Sequence, residues 1–314
     1  MAALRRDSRD APDGERAPGL PRPGSAGAWL LAARPKTLPA AIAPVLVGTG
    51  LAAADGRFAA GPALAALAGA LLIQIATNFA NDYWDFIKGA DTETRLGPTR
   101  AAQAGLLSPA AVRTGALVTF GLAAVAGLYL TWVAGWPVVV IGLLSIAAGL
   151  AYTAGPFPLA YVGLGEPFVF LFFGLVAVGG TYFVQALDVT PGALLAGVGV
   201  GALSTAILVV NNLRDLETDA AAGKRTLAVR LGAAGTRAEL VLLVILAFAV
   251  PAAGVLRLDW SPGTLLVIAA LPLAGPPLRS ALTFEDPREL NPALGATARL
   301  LTAYAGLLTL GLVL

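Results

Sequence analysis

Cysteine and histidine are both absent from the 314 residues. Their absence excludes disulfide frameworks, thiolate nucleophiles, Cys/His zinc sites, histidine haem ligation and histidine general bases. Any metal must be held by oxygen, which favours magnesium, calcium or manganese. Charge is also scarce. Charged residues make up 13% of the chain, against roughly 25% in soluble domains. Hydrophobic residues make up 57%, and the mean hydropathy is +0.77. This is the composition of a membrane protein. The net charge of +2 is uninformative as a total, but its distribution is not. No nucleic-acid partner is expected; the lipid bilayer is.

What is present begins with a tail. Residues 1–28 are rich in Arg, Pro, Gly, Asp and Ala without apolar periodicity and read as disordered. The remainder, 29–314, reads as one all-α transmembrane domain. A bilayer core needs roughly 20 apolar residues per helix. Nine windows qualify: 38–54, 60–81, 112–130, 132–152, 164–183, 193–212, 238–256, 263–283 and 293–314. Cytoplasmic flanks carry an excess of Lys and Arg. With the N-terminus placed in the cytoplasm, 19 of the 21 Lys and Arg fall on that side, and only Arg57 and Arg257 fall outside.

Two acidic clusters then stand out, "NFANDYWDFIKGADTETRLGPTR" (78–100) and "NNLRDLETDAAAGKRTLAVRLG" (211–232). They end the second and sixth spans, so they face the same compartment four helices apart. Asn78, Asp82 and Asp85 lie at i, i+4 and i+7, one helical face, with Asn81 and Asp85 a second pair on its flank. Asn212, Asp215 and Asp219 lie at i, i+3 and i+7, joined by Asn211. Stacked like charges repel, and a carboxylate near bilayer depth costs about 2.5–3.5 kcal/mol on insertion scales. A divalent cation offsets both, and Mg²⁺ suits oxygen ligands. Lys88, Arg95 and Arg100 follow the first cluster; Arg214, Lys224 and Arg225 flank the second. Carboxylates, Mg²⁺ and surrounding cations together point to a diphosphate. Topology accounts for basic residues at span ends, but acidic residues contribute little to orientation.

The motifs "NDYWD" and "NNLRDLETD" resemble the two aspartate-rich motifs of the UbiA superfamily, intramembrane aromatic prenyltransferases with nine helices. "ARPKTLPAAIAPVLVGT", "NDYWDFIKGAD", "GPTR", "GPFPLAYVGLGEPFVFLFFG" and "GKRTLAVRLG" resemble the branch that acts on 1,4-dihydroxy-2-naphthoate in menaquinone biosynthesis. Many superfamily members carry an Asp where this chain has Gly89, and the next acid here is Asp91. The resemblance implies a polyprenyl diphosphate donor and Mg²⁺, or Mn²⁺ as substitute. It implies Asp82, Asp85, Asp215 and Asp219 as catalytic metal ligands, with Asn78, Asn81 and Asp91 completing the site. Lys88, Arg95, Arg100, Arg214, Lys224 and Arg225 would meet the diphosphate. Tyr83, Trp84, Tyr152 and Phe172 are candidates to face an allylic cation, or to anchor at the lipid interface. Arg34 is a candidate for the acceptor's carboxylate, or a topology signal. Glu166 would orient a phenol hydroxyl or face headgroups. Tyr152, Asn211 and Asn212 complete the acceptor set. The product would be demethylmenaquinone, made at the cytoplasmic face of the plasma membrane.

Other readings stay open at this stage. They are a related prenyltransferase taking 4-hydroxybenzoate or homogentisate, a cation-coupled secondary transporter, and another Mg²⁺-dependent transferase. "TAGPFPLAYVGLGEP" is too rich in Gly and Pro for helix. Asn291, in a lone "NPA", reads as the cap of the last span.

Overall fold

A computed structural model describes residues 20–89, 96–155 and 157–314. They form helices α1 (Ala26–Ala33), α2 (Pro39–Ala54), α3 (Ala60–Ile87), α4 (Pro109–Ala134), α5 (Pro137–Ala151), α6 (Gly165–Val169), α7 (Ala177–Ala186), α8 (Pro191–Arg214), α9 (Leu216–Ala221), α10 (Leu227–Arg257), α11 (Gly275–Thr283) and α12 (Leu290–Val313). Phe170–Val176 is π-helical and fuses α6 to α7; Pro262–Ala274 is 3-10 and runs into α11. Helix starts follow local chemistry. Proline sits in the first turn of α2, α4, α5 and α8, where its missing N–H is no loss. Side chains of Ser25, Ser108, Thr190 and Thr226 accept N–H bonds at the starts of α1, α4, α8 and α10.

Each of the nine apolar windows falls mainly on helix. Among the described residues, seven helical segments are long and apolar enough to cross a membrane. An eighth candidate is the stretch from α1 to α2, bent by 52°, and α5 is a shorter apolar helix. The expected tail is corrected at its end: α1 starts at Ala26, inside residues 1–28, with Ser25 as its cap. Residues 1–19 lie outside the described residues. The seventh window, 238–256, falls within α10, whose helix is interrupted by a kink at Gly232 (φ 68). Of the stretch "TAGPFPLAYVGLGEP" (153–167), the described residues 153–155 and 157–164 are non-helical apart from one 3-10 turn at Leu159–Tyr161, but its last three residues are corrected: Gly165, Glu166 and Pro167 open α6.

Two packed groups make the walls of the interior. One joins α2, α7, α8, α10, the 262–274 segment and α12 around Leu203, Tyr304 and Leu308. The other joins α1, α3, the 101–107 turn and α4 around Phe79, Leu106 and Val112. Helix α8 is the axis, with 72% of its apolar window buried, whereas α4 buries 22% of its own and faces outward. Small residues permit close approach. A Cβ on Gly174 would stand 2.5 Å from the Gly197 carbonyl oxygen, so the π segment and α8 meet backbone to backbone.

Candidate active site

Between the two groups lies a cavity of about 1970 Å³, roughly twice the upper range for small-ligand pockets. Its long apolar part runs between α3, α4, α5 and α7, past Ala70, Ile73, Leu128, Val139 and Ile146. Leu128 and Leu143 line it and yet are 69% and 63% exposed, so the cavity opens sideways through the outer wall. Its polar end is built by the C-terminal ends of α3 and α8, the 97–100 turn, Tyr161 and Lys224.

Helix C-termini carry partial negative charge. Carboxylates placed there need cations; Asp85, in the last turn of α3, and Asp215, which caps α8, each have one, and so does Asp219 on α9. Arg100 Nη2 meets Asp85 Oδ2 at 2.8 Å. Arg214 donates to both oxygens of Asp215, from Nε at 2.8 Å and Nη2 at 2.6 Å. Lys224 Nζ donates to Asp219 Oδ1 at 2.8 Å. Burial holds the Asp219 carboxyl above its ordinary value, although the Lys224 ammonium pulls the other way. The two helix ends are linked. The Tyr161 hydroxyl donates to Asp85 Oδ1 at 3.3 Å, and Lys224 Nζ stands 4.8 Å from the centre of the Tyr161 ring.

The cavity collects Arg34, Asn78, Asn81, Asp85, Arg100 and Tyr152 from the first half of the chain. From the second half it collects Asn211, Asn212, Asp215, Asp219 and Lys224. Arg34 ends α1 in a left-handed turn, φ 52, and donates to the Asn78 carbonyl at 3.4 Å. The Asn78 amide donates to the Ala33 carbonyl and to Thr37 Oγ1, both at 2.9 Å, so it clamps the turn before α2. Asn81 Oδ1 accepts from Thr153 at 2.8 Å.

Several of the expected residues stand off the cavity lining. Asp82 is buried but does not line the cavity; its Oδ2 accepts the Ala101 N–H at 3.1 Å and secures the 97–101 turn. Lys88 is off the cavity and donates to the carbonyls of Thr153, at 2.6 Å, and Gly155. Arg214 is 1% exposed and stands behind the lining. Besides Asp215 it reaches Asn211 Oδ1 and Asn291 Oδ1, both at 2.9 Å. Arg225 is exposed and contributes its backbone N–H to the Tyr161 carbonyl. Glu166 is buried away from the lining and accepts from Asn212 Nδ2 at 2.7 Å. Tyr83 and Trp84 pack into the α1–α3–α4 group, while Tyr152 and Phe172 face the cavity. Asn291 is no cap: it lines the cavity, accepts from Arg214 and donates to the Leu96 carbonyl at 3.0 Å. Asp91 and Arg95 lie outside the described residues. Sequence reasoning missed Tyr161, Thr153 and Arg299, which line the cavity and belong to neither acidic run.

A helical membrane bundle with two oxygen-rich helix ends meeting at one lipid-sized cavity is the architecture of an intramembrane transferase. The chain belongs to the UbiA prenyltransferase family, whose model matches residues 41–312. It is similar to the 1,4-dihydroxy-2-naphthoate octaprenyltransferase of Mycobacterium tuberculosis, 44% identical over 280 residues, covering 88% of this chain and 94% of that one. The Escherichia coli (strain K12) protein of the same name is 38% identical over 281 residues, 87% of this chain and 90% of that one. In fold it resembles a UbiA homolog from Aeropyrum pernix K1, with a TM-score of 0.66 at 15% identity over 87% of this chain and 96% of that one. It also resembles a UbiA homolog from Archaeoglobus fulgidus bound to GPP and Mg²⁺, with a TM-score of 0.62 at 15% identity, covering 90% and 99%.

Proposed function

We propose that this protein transfers a polyprenyl group from polyprenyl diphosphate to 1,4-dihydroxy-2-naphthoate, losing diphosphate and CO₂ and giving demethylmenaquinone, formed as its quinol. The observation that carries this reading is the placement of Asp85, Asp215 and Asp219, with Arg100 and Lys224, at the polar end of one apolar cavity. The high identity to named naphthoate enzymes over most of both chains favours this acceptor over 4-hydroxybenzoate or homogentisate.

The residues fit a divalent cation. All donors are oxygens, from Asp85, Asn81, Asp215 and Asp219. Among the described residues no three carboxylates crowd into a cage of their own. Mg²⁺ is ordinarily held by one or two carboxylates together with substrate phosphates, and Mn²⁺ shares that chemistry. When bound, the cation neutralises charge on the departing diphosphate.

The chain's own residues do the rest. Arg100 and Lys224 offer charge-assisted bonds to phosphate oxygens. The apolar wall holds the isoprenoid tail and keeps water from the allylic centre once the C–O bond breaks. Phe168 and Phe172, stacked with centroids 5.9 Å apart, line the cavity and present π faces to a cation. The naphthalene carbon bearing the carboxylate forms the new C–C bond. The bond to the carboxylate then breaks, CO₂ leaves, and its electron pair restores the ring, so no ring proton needs a base. Arg34, which lines the cavity, is the cation we assign to the acceptor's carboxylate.

The site faces the cytoplasm across the inner membrane, on the Lys/Arg asymmetry. The chain contains no cysteine, so single cysteines at Arg225 and Arg57 report sidedness directly. A membrane-impermeant maleimide should label R57C in intact cells and R225C only in inverted vesicles; the reverse overturns the orientation. The reaction itself is tested with purified protein in nanodiscs, labelled polyprenyl diphosphate, Mg²⁺ and each acceptor in turn. Prenylated product with release of carboxylate label from the naphthoate supports the reading. Product with hydroxybenzoate or homogentisate alone overturns it.

A further inference from the structure

Asn212 and Glu166 form a buried pair whose polarity has a consequence for substrate recognition. Asn212 is 8% exposed and lines the cavity; Glu166 is 3% exposed and lies behind it. They meet at 2.7 Å, Asn212 Nδ2 to Glu166 Oε1. A carboxylate can only accept from an amide, so the NH₂ end of Asn212 must turn toward Glu166. That leaves the carbonyl end, Oδ1, as the group Asn212 offers to the cavity. Glu166 itself is held in place where the backbone turns into α6 and the π segment, and Gly165 packs against the Tyr152 ring.

The outward group decides what Asn212 can recognise. Diphosphate oxygens are acceptors, and a carbonyl oxygen offers them nothing. An isoprenoid tail has no polar group at all. The reactant with donors is the aromatic one, through its phenolic O–H. Position agrees with this. Asn212 lies three residues, just under one turn, before Asp215, the residue that caps α8 at the diphosphate end. The neighbouring Asn211 serves the other purpose: its Oδ1 is taken by Arg214 and its Nδ2 reaches Asp215 at 3.4 Å. Both asparagines line the cavity, but Asn211 has both ends of its amide engaged at the carboxylate, whereas Asn212 is held through Nδ2 by Glu166.

We infer that Glu166 is a positioning residue which, by taking the Asn212 amide N–H, turns the Asn212 carbonyl oxygen into the cavity as the hydrogen-bond acceptor for a phenolic hydroxyl of the aromatic substrate. The inference rests on the prenyl-transfer reading above and adds the group that reads the hydroxyl. A buried site built to bond a hydroxyl discriminates strongly against an analogue lacking it.

The test compares 1,4-dihydroxy-2-naphthoate with its two monomethyl ethers, using wild type, Glu166→Gln and Asn212→Ala. The glutamine side chain of the first variant keeps the shape but can present either end of its amide, so it no longer dictates the orientation of Asn212. Wild type should prefer the free diol over one ether by at least roughly tenfold in kcat/KM, the size of one hydrogen bond to a polar buried group. Glu166→Gln should raise KM for the diol by roughly tenfold, leave KM for the prenyl diphosphate unchanged, and reduce the preference over that ether. Asn212→Ala should abolish the preference by a route that does not depend on Glu166. A purely structural role would instead change both KM values together, or lower kcat with the ether preference intact in both variants, and either result overturns the inference. Failure of wild type to prenylate the diol at all would instead overturn the proposed function, so the two failures are distinguishable.

Discussion

At the scale of single residues, the site separates cations that face the ligand space from cations that build it. Lys224 lines the cavity and Lys88 does not, although both follow an acidic cluster and both stand near the Tyr161 ring. Lys224→Ala should raise KM for prenyl diphosphate by roughly ten- to a hundredfold, the loss of a charge-assisted bond. Lys88→Ala should change it by less than about threefold, within the weak range of exposed contacts. Steady-state kinetics with varied diphosphate decide the point. Arg214 belongs to the builders. Its planar fork serves Asp215, Asn211 and Asn291 at once, and one ammonium cannot reproduce that fork. Arg214→Lys should therefore raise the Mg²⁺ concentration needed for half-maximal activity by about tenfold, as read from a Mg²⁺ titration. The spacing of the acids was legible from sequence, but which acid faces the cavity was not. Asn78, Asp82 and Asp85 share a helical face, and so do Asn78, Asn81 and Asp85. The choice is made by the turn at 97–101, which arrives from elsewhere in the chain and claims Asp82.

At the scale of elements, long apolar helices were plain in the sequence because burial in lipid requires them. What could not be read was where those helices deviate. Nothing in "FLFFGLV" marks a π segment, yet the widened turn at Phe170–Val176 places Phe172, Phe173 and Val176 on the cavity. Such bulges occur often at functional sites. The deviation depends on contact with α8, where Gly174, Gly197 and Gly201 leave no room for a side chain. Gly174→Ala should destabilise the protein by about 1–3 kcal/mol through overpacking, lowering its melting temperature in detergent and reducing turnover. The start of α1 was hidden for a different reason. A short helix of low periodicity following Pro and Gly looks like tail until Ser25 caps it and the 101–107 turn packs against Ala28 and Ala32.

At the scale of the whole molecule, the chain encloses a space that is wet at one end and greasy along its length. A long prenyl tail demands a lateral opening, and the exposed lining residues Leu128 and Leu143 provide it. Gly142 lines the same channel, and a Cβ there would meet nothing within 4 Å. Gly142→Phe should fold normally, since glycine is the poorer helix former, and should shift preference toward shorter prenyl diphosphates. Competition between farnesyl and longer donors measures that shift. A melting temperature near wild type with unchanged chain-length preference would show that the tail runs elsewhere.

The deepest commitment is that carboxylates on α3 and α8, far apart in sequence, hold a single metal–diphosphate. A double-mutant cycle on Mg²⁺-dependent binding of labelled polyprenyl diphosphate to the full chain in nanodiscs addresses this directly. Asp85→Asn and Asp215→Asn should each weaken binding by roughly a hundredfold, and the double variant should be little worse than either, because residues acting as a unit are not additive. Fully additive losses, or a single variant that binds like wild type with Mg²⁺ present, would contradict it.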